Sequence, residues 1–201
     1  MRKPLVAGNW KMNKTAAEAK TVLAALAPLV AGAKADVVVC PPYLAIGAAI
    51  EALDGSSVGV GAQDVFWAEA GAFTGRVSAS MLADAGVEWC IVGHSETRGK
   101  FGKLEVPETT VGYFAESDET VNLKIKALLA KGIRPILCVG ETLAERESGQ
   151  TDTVIQTQLR GGLAGFTAEQ LTGLVVAYEP VWAIGTGKVC DTPEAERVCG
   201  M

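Results

Sequence analysis

The alternation of short β-branched segments with longer helical patterns is the feature that most constrains the fold of this chain. Near-continuous apolar segments recur six times, over residues 5–10, 37–40, 58–62, 89–93, 135–140 and 174–179. Runs of this kind, without a polar residue at every second position, are typical of strands that are covered on both faces. Helical patterns lie between them, over residues 15–30, 44–53, 78–85, 117–130 and 152–163. This order predicts an α/β fold with a parallel sheet covered by helices.

Capping signals predict where several helices begin. Thr15 and Glu18 form a capping-box pattern, and Thr167 with Gln170 resembles a second one. Thr192 is a good N-cap and Pro193 a good first helical residue, so a last helix is expected there. A closed barrel of eight βα units typically needs about 250 residues. We therefore expect residues 1–201 to form a single barrel-type domain that stops short at its C-terminal end.

Composition excludes several classes of partner. The chain carries 18 Lys and Arg against 23 Asp and Glu, a net charge of -5, without a basic cluster, which argues against nucleic-acid or membrane-surface binding. No apolar run approaches the roughly 18–20 residues of a membrane span, and the N-terminus lacks the apolar segment of a secretory signal. Five cysteines without a CxxC motif indicate reduced thiols and a cytoplasmic protein. The single histidine argues against a His-rich metal site.

Polar residues follow three of the predicted strands, and in a parallel α/β domain ligands bind at these carboxyl ends. Asn9 and Lys11 follow the first strand, His94 and Glu96 the fourth, and Glu179 ends the sixth. Residues two apart share a face if strand geometry persists. A carboxylate, an imidazole and an ammonium group suit proton transfer next to a carbonyl. Taken singly, Lys11 could equally be a solvated lysine and Glu179 a surface carboxylate.

Two weaker patterns predict no functional site. Ser95 adjoins His94, but neighbouring residues of a strand point to opposite faces, so adjacency does not make a catalytic dyad. The glycine-rich residues 185–188 do not form a phosphate-binding P-loop, because Trp182 and Val189 occupy positions where that motif needs glycine and a hydroxyl residue.

Several segments resemble the triosephosphate isomerase family, and they occur in that family's order. They are AGNWKMN at 7–13, GAQD at 61–64, GAFTG at 71–75, VGHSE at 92–96, CVGET at 138–142 and AYEPVWAIGTGK at 177–188. The last motif is the most specific. The resemblance extends along the whole chain but covers only about the first four-fifths of a usual family member.

The resemblance implies a parallel (β/α) barrel of the triosephosphate isomerase type, incomplete with about six strands. It also implies interconversion of dihydroxyacetone phosphate and glyceraldehyde 3-phosphate through an enediolate, in glycolysis and gluconeogenesis, without a cofactor or a metal. Matched by position, Glu179 would be the base, His94 the neutral electrophile, and Lys11 the group that stabilises the enediolate charge. Asn9 would help to place Lys11 and the substrate, and Glu96 would support the catalytic group from its edge.

The resemblance further implies a lid, a substrate contact and a dimer contact. Gly185 would bind substrate, and Thr74, in the loop 63–80, would contact the second subunit of a homodimer. The lid that excludes water would consist of Pro180, Val181, Trp182, Ala183, Ile184, Gly185, Thr186, Gly187 and Lys188.

Three departures from the family pattern bear on these expectations. The family's last two strands, whose loops hold the substrate phosphate, lie beyond the resemblance, so activity is expected to be impaired. Arg76 stands where an acidic partner for the arginine at position 98 is usual, and residues 99–114 are longer than the corresponding loop of many members. A non-catalytic oligomerising or binding protein derived from the enzyme is the alternative. Another phosphosugar enzyme on the same fold is disfavoured by the lid motif.

Overall fold

The computed structural model describes residues 3–103 and 106–201 of the chain. Its strands are β1 Leu5–Asn9, β2 Asp36–Cys40, β3 Val58–Ala62, β4 Trp89–Val92, β5 Arg134–Val139 and β6 Val175–Tyr178. Its α-helices are α1 Ala16–Val30, α2 Tyr43–Ala52, α3 Ala79–Asp84, α4 Asp118–Ala130, α5 Leu143–Glu147, α6 Thr151–Gly162 and α7 Thr192–Cys199. Two 3₁₀ segments span Glu108–Phe114 and Val181–Ala183.

The described chain forms two compact units, and α4, β4 and β5 contribute residues to both. In the first unit, residues 3–91 with 126–135, the strands β1 to β4 pair in chain order and in parallel. Ala7 is paired with Val38, and Val38 with Gly59. The apolar faces of α1 and α2 are buried here at Leu23 and Ile46. The first unit is thus a parallel sheet with amphipathic helices laid against it.

The second unit, residues 92–125 with 136–201, contains the parallel pair β5 and β6. Leu137 of β5 is fully buried and is paired with Val176 of β6. The helices α4 and α6 bury Ile125 and Ile155. With β1 to β4, these strands confirm the predicted α/β class with about six parallel strands in the described residues. No helix among them is long and apolar enough to cross a membrane.

The predicted helix starts have mixed outcomes. At α1 the capping box is confirmed, because the Thr15 hydroxyl accepts from the Glu18 N–H at 3.3 Å while the Glu18 carboxylate accepts from the Thr15 N–H at 2.8 Å. The assignment of Thr192 as an N-cap is wrong. Asp191 is the N-cap of α7, and its carboxylate accepts from the Glu194 N–H at 2.9 Å. A carboxylate one residue earlier thus takes the capping role.

The second capping-box pattern forms without a helix. The Thr167 N–H donates to Gln170 Oε1 at 2.9 Å, and the Gln170 N–H donates to the Thr167 hydroxyl at 3.4 Å. Only turns follow before β6 begins at Val175. The short helix α5, with a complete capping box at Thr142, was not predicted.

Candidate active site

The backbone of Glu179 is fixed by the end of β5. Its N–H donates to the carbonyl oxygen of Val139 at 2.7 Å. The next residue, Gly140, lies so close that a Cβ atom there would overlap the carbonyl oxygen of Glu179. The Gln158 side chain binds both the N–H and the C=O of Gly140, at 2.8 and 3.1 Å. The end of β5 therefore fixes the backbone position of Glu179, the residue that directly follows β6.

The Glu179 carboxylate is largely buried and accepts three hydrogen bonds. Ser95 donates to it through its backbone N–H and its hydroxyl, both at 2.9 Å. His94 Nε2 lies 2.9 Å from Oε1 of the same carboxylate. Burial is the largest single influence on the Glu179 pKa and raises it. The hydrogen bond and the electrostatic attraction of His94, together with the hydrogen bonds from Ser95, outweigh burial and leave the pKa lowered. Glu179 is thus an ionised carboxylate in a partly dry site.

The hydrogen bonds of His94 define its tautomer. Its Nδ1 accepts the backbone N–H of Glu96 at 3.2 Å, so Nδ1 carries no proton. The ring proton is on Nε2, which points at the Glu179 carboxylate. Glu96 Oε2 is 3.6 Å from Nδ1, too far for a hydrogen bond. His94 is therefore a neutral imidazole that presents one N–H donor.

A buried arginine supports the loop that carries His94. Arg98 Nε donates to the carbonyl oxygen of Gly93 at 2.7 Å, and its Nη1 pairs with Asp118 at 2.6 Å. The Arg98 side chain is only 7% exposed, so its charge needs such a partner. Asp118, from the same unit, is thus the acidic partner of Arg98, in place of the acidic residue that family members usually have at position 76. Arg76 instead lies over the Phe66 ring in the first unit, 5.8 Å from its centroid.

In the first unit, Asn9 is the last residue of β1, and the strand does not extend to Lys11. Lys11 has a φ of 52°, in the left-handed region that a non-glycine residue adopts only at some cost. Its N–H donates to Asn9 Oδ1 at 2.9 Å, and its carbonyl oxygen accepts from Gln63 Nε2 at 2.9 Å. Gln63 also donates to the Cys40 carbonyl oxygen at 2.8 Å. Hydrogen bonds, rather than strand alternation, hold Lys11 in place.

Strand alternation also fails after β4. The strand ends at Val92, and Gly93 has a φ of 68°, which reverses the chain. Ser95 therefore turns toward Glu179, in the same unit as His94, although the sequence interpretation placed it on an opposite face. Sequence reasoning missed Ser95 as a site residue. The signal was the glycine before His94, which marks the end of the strand.

The start of the predicted lid is held by a buried carboxylate that sequence reasoning also missed. Glu141 is fully buried, and its Oε1 accepts from Trp182 Nε1 at 2.8 Å and from the Tyr178 hydroxyl at 3.0 Å. The Arg146 guanidinium lies over the Trp182 ring, 4.3 Å from its centroid. Burial, followed by the nearby charge of Glu141, raises the pKa of Tyr178. Tyr178 and Trp182, which lie on either side of Glu179 in the chain, thus both donate to the same oxygen of Glu141.

Of the remaining predicted residues, Val181, Trp182 and Ala183 form the short 3₁₀ segment, and the others lie in turns and loops. Gly185 and Gly187 both have positive φ angles, and the Thr186 hydroxyl donates to the Trp182 carbonyl oxygen at 2.8 Å, which folds the chain back on itself. In the first unit, Thr74 lies exposed in a loop. The structure brings His94, Glu96 and Glu179 together in the second unit. It places Asn9 and Lys11 side by side in the first unit.

A neutral imidazole paired with a buried, ionised carboxylate at the carboxyl ends of parallel strands is an arrangement suited to proton transfer in an α/β enzyme. The comparisons with known proteins specify this class. The family model described as Triosephosphate isomerase matches residues 4–201. The chain belongs to the triosephosphate isomerase family and is an isomerase of it.

Individual relatives agree with this assignment. The chain is 50% identical over 198 residues to the triosephosphate isomerase of Moorella thermoacetica, covering 98% of this chain and 74% of that protein. It is 47% identical over 200 residues to that of Acetivibrio thermocellus, covering 100% of this chain and 74% of the relative. The crystal structure of triosephosphate isomerase from Bartonella henselae matches with a TM-score of 0.77 and 37% identity, over 90% of this chain and 69% of that one. The predicted incomplete barrel of this type is thereby confirmed.

Proposed function

We propose that the chain interconverts dihydroxyacetone phosphate and glyceraldehyde 3-phosphate by moving one proton between adjacent carbons. The observation that supports this most directly is the 2.9 Å contact between the neutral His94 and the ionised Glu179. The names of the relatives indicate a triose phosphate substrate. Glu179 takes a proton from the carbon next to the carbonyl, and an enediolate forms. The proton of the substrate hydroxyl passes to the former carbonyl oxygen, which the His94 N–H polarises. The Glu179 carboxyl then returns its proton to the neighbouring carbon, which leaves the other oxygen as the new carbonyl.

The hydrogen bonds of Glu179 explain how it becomes a stronger base when substrate is present. With Ser95 and His94 as donors, its pKa is lowered and the group is ionised. To reach a substrate carbon the carboxylate must leave the Ser95 hydroxyl and N–H, which removes bonds that lower its pKa. Burial, which has the largest influence on the Glu179 pKa, is then less offset by hydrogen bonds, so the pKa rises and Glu179 becomes a stronger base. The His94 N–H is released at the same time and can donate to the substrate oxygen.

Three other residues complete the proposed mechanism. The Lys11 ammonium stabilises the negative charge of the enediolate, and Asn9 supports Lys11 through the 2.9 Å bond to its N–H. Glu96 supports His94, because its backbone N–H keeps Nδ1 unprotonated and the proton on Nε2. No step in this scheme requires a cofactor or a metal.

We also propose that residues 180–188 close over the substrate as a lid, with Gly185 contacting the phosphate. Closure excludes water, which strengthens the electrostatic interactions of the reacting groups. The left-handed Gly185 and Gly187 let the tip of this lid turn tightly.

We further propose a cytoplasmic enzyme of glycolysis and gluconeogenesis that folds as one domain and forms a homodimer through the loop carrying Thr74. The loop is exposed at Thr74 and Phe73, which leaves an aromatic side chain available for a subunit contact. Light scattering at micromolar concentration is expected to give twice the chain mass. A compact monomer would refute the dimer.

The catalytic proposal is tested by a coupled isomerase assay on purified chain of verified mass. Glu179→Asp withdraws the carboxylate by about one methylene and is expected to lower kcat roughly 10²–10⁴-fold, the scale of general-base and positioning effects. Glu147→Asp, at an exposed residue of α5, is the matched control and should change kcat less than two-fold. A folded wild-type chain without isomerase activity would instead favour the alternative, a non-catalytic oligomerising or binding protein derived from the enzyme.

A further inference from the structure

Residues 99–103 follow the His94 loop and lie directly against the proposed lid, within the second unit. At Gly102 the contact is between backbones, because a Cβ atom there would overlap the carbonyl oxygens of Val181 and Ile184. One residue further, the Cβ of Lys103 lies 3.7 Å from the point where a Cβ of Gly185 would be. Only glycine at position 102 permits this approach.

The segment 99–103 is anchored at the residues just before this contact. The Lys100 N–H donates to the Ser95 carbonyl oxygen at 2.9 Å, and the Lys100 ammonium pairs with Glu145 at 2.9 Å. The Phe101 ring meets the Phe114 ring edge to face, with centroids 5.6 Å apart. Since these bonds fix the residues just before Gly102, its backbone presents a defined surface to the lid.

The contact lies close to the proposed base along the chain. Val181 is separated from Glu179 only by Pro180, whose ring fixes its φ and so limits how a movement at Val181 is absorbed. We propose that Gly102 is a positioning residue for the isomerase reaction. Its backbone contacts the start of the lid and thereby seats the lid, which keeps Glu179 correctly placed. This inference rests on the proposed function, since it assumes that Glu179 is the base and residues 180–188 the lid.

The test compares two glycine-to-alanine substitutions. Gly102→Ala forces a methyl group into the backbone of the proposed lid. Gly112→Ala, in the same segment 99–114, also adds a methyl group, but no atom lies within 4 Å of its position. A displacement of about 1 Å in a catalytic group costs up to about 10²-fold. At a temperature where circular dichroism shows both variants folded, we expect Gly102→Ala to lower kcat about 10–100-fold and Gly112→Ala less than two-fold.

A second readout does not depend on activity. In chain labelled with 5-fluorotryptophan, the Trp182 ¹⁹F resonance, assigned by Trp182→Phe, should move or broaden in Gly102→Ala and stay in place in Gly112→Ala. If the wild-type chain proves inactive, the proposed function fails, yet this comparison still decides whether Gly102 seats the lid. A Trp182 resonance and a kcat that are unchanged in folded Gly102→Ala would overturn the inference.

A milder variant covers the case in which Gly102→Ala does not fold. Phe101→Leu removes the edge contact with Phe114 without adding atoms near the lid, so the seat loosens. We expect the Trp182 resonance to broaden and kcat to fall several-fold, with KM changing less. A purely structural role for the segment would lower only the melting temperature, and that result would contradict the proposal.

Discussion

Replacing Glu141 by glutamine probes the buried acceptor that holds both ends of the segment around Glu179. The substitution keeps the shape of the side chain and one carbonyl oxygen for Trp182 and Tyr178, but removes the negative charge. The two bonds, at 2.8 and 3.0 Å, then change from charge-assisted to neutral. Arg146, whose Nη1 lies 3.5 Å from Glu141, keeps its partner Glu194 at 2.8 Å.

The magnitude follows from these contacts. A hydrogen bond to a charged group contributes about 1.5–3 kcal/mol and a neutral one about 0.5–1.5 kcal/mol. Two such bonds, offset by the relief of a buried charge, give a loss of about 1–3 kcal/mol in the free energy of unfolding for Glu141→Gln. Glu141→Ala leaves the Trp182 and Tyr178 donors unpaired, at about 1–3 kcal/mol each, and should cost about 2–6 kcal/mol. Typical domains have only about 5–15 kcal/mol of total stability.

Urea unfolding measures the loss, with Glu147→Gln at an exposed site of α5 as the matched control. Phenolate absorbance follows Tyr178 when it is compared with a Tyr178→Phe chain, since the sequence has three tyrosines. Burial and then the Glu141 charge raise the Tyr178 pKa, so loss of that charge should lower the pKa toward the ordinary value of 10.0. Since folding raises this pKa, the stability it contributes is complete below pH 10 and is lost as the pH rises further. If Glu141→Gln destabilises no more than the control and leaves the titration of Tyr178 unchanged, the reasoning is refuted.

Three further predictions concern Glu179, the proposed base, and a helix cap. Ser95→Ala removes one of the bonds that lower the Glu179 pKa, so the acid limb of the kcat/KM profile should move to higher pH; an unmoved limb would contradict this. Folding lowers the Glu179 pKa, so the ionised carboxylate stabilises the fold at pH values above the ordinary pKa of 4.5, and this stabilisation is lost as the pH falls below 4.5. The free energies of unfolding of wild type and Glu179→Gln, measured by urea titration, should therefore converge in acid. Thr15→Ala should lower the free energy of unfolding by about 0.5–2 kcal/mol with activity retained, whereas Thr21→Ala, inside the same helix, tests whether the cap itself is responsible.

Local patterns in the sequence were sufficient to predict the strands, most of the helices and some of the residues of the candidate site. Apolar runs and caps predicted six strands and most helices to within one or two residues, because strand burial and N-capping depend on neighbouring residues. They also placed Asn9, His94 and Glu179 at strand ends. The prediction failed where the chain left regular structure. Strand alternation did not hold at Lys11 or Ser95, since β1 and β4 end before them.

What the sequence by itself determined was the class of fold and which residue types stand at the strand ends, because both follow from short-range periodicity. Only the tertiary structure decided how these residues are used. Ser95 binds Glu179 across 84 residues of chain and Glu141 binds Trp182 across 41, and no local pattern encodes such pairs. The residues next to Gly102 in sequence give no sign that the backbone of Val181 and Ile184 occupies the space of a side chain at this position. These contacts arise because folding brings distant segments to one edge of a sheet, where space and hydrogen-bonding groups, rather than propensity, determine each residue's part.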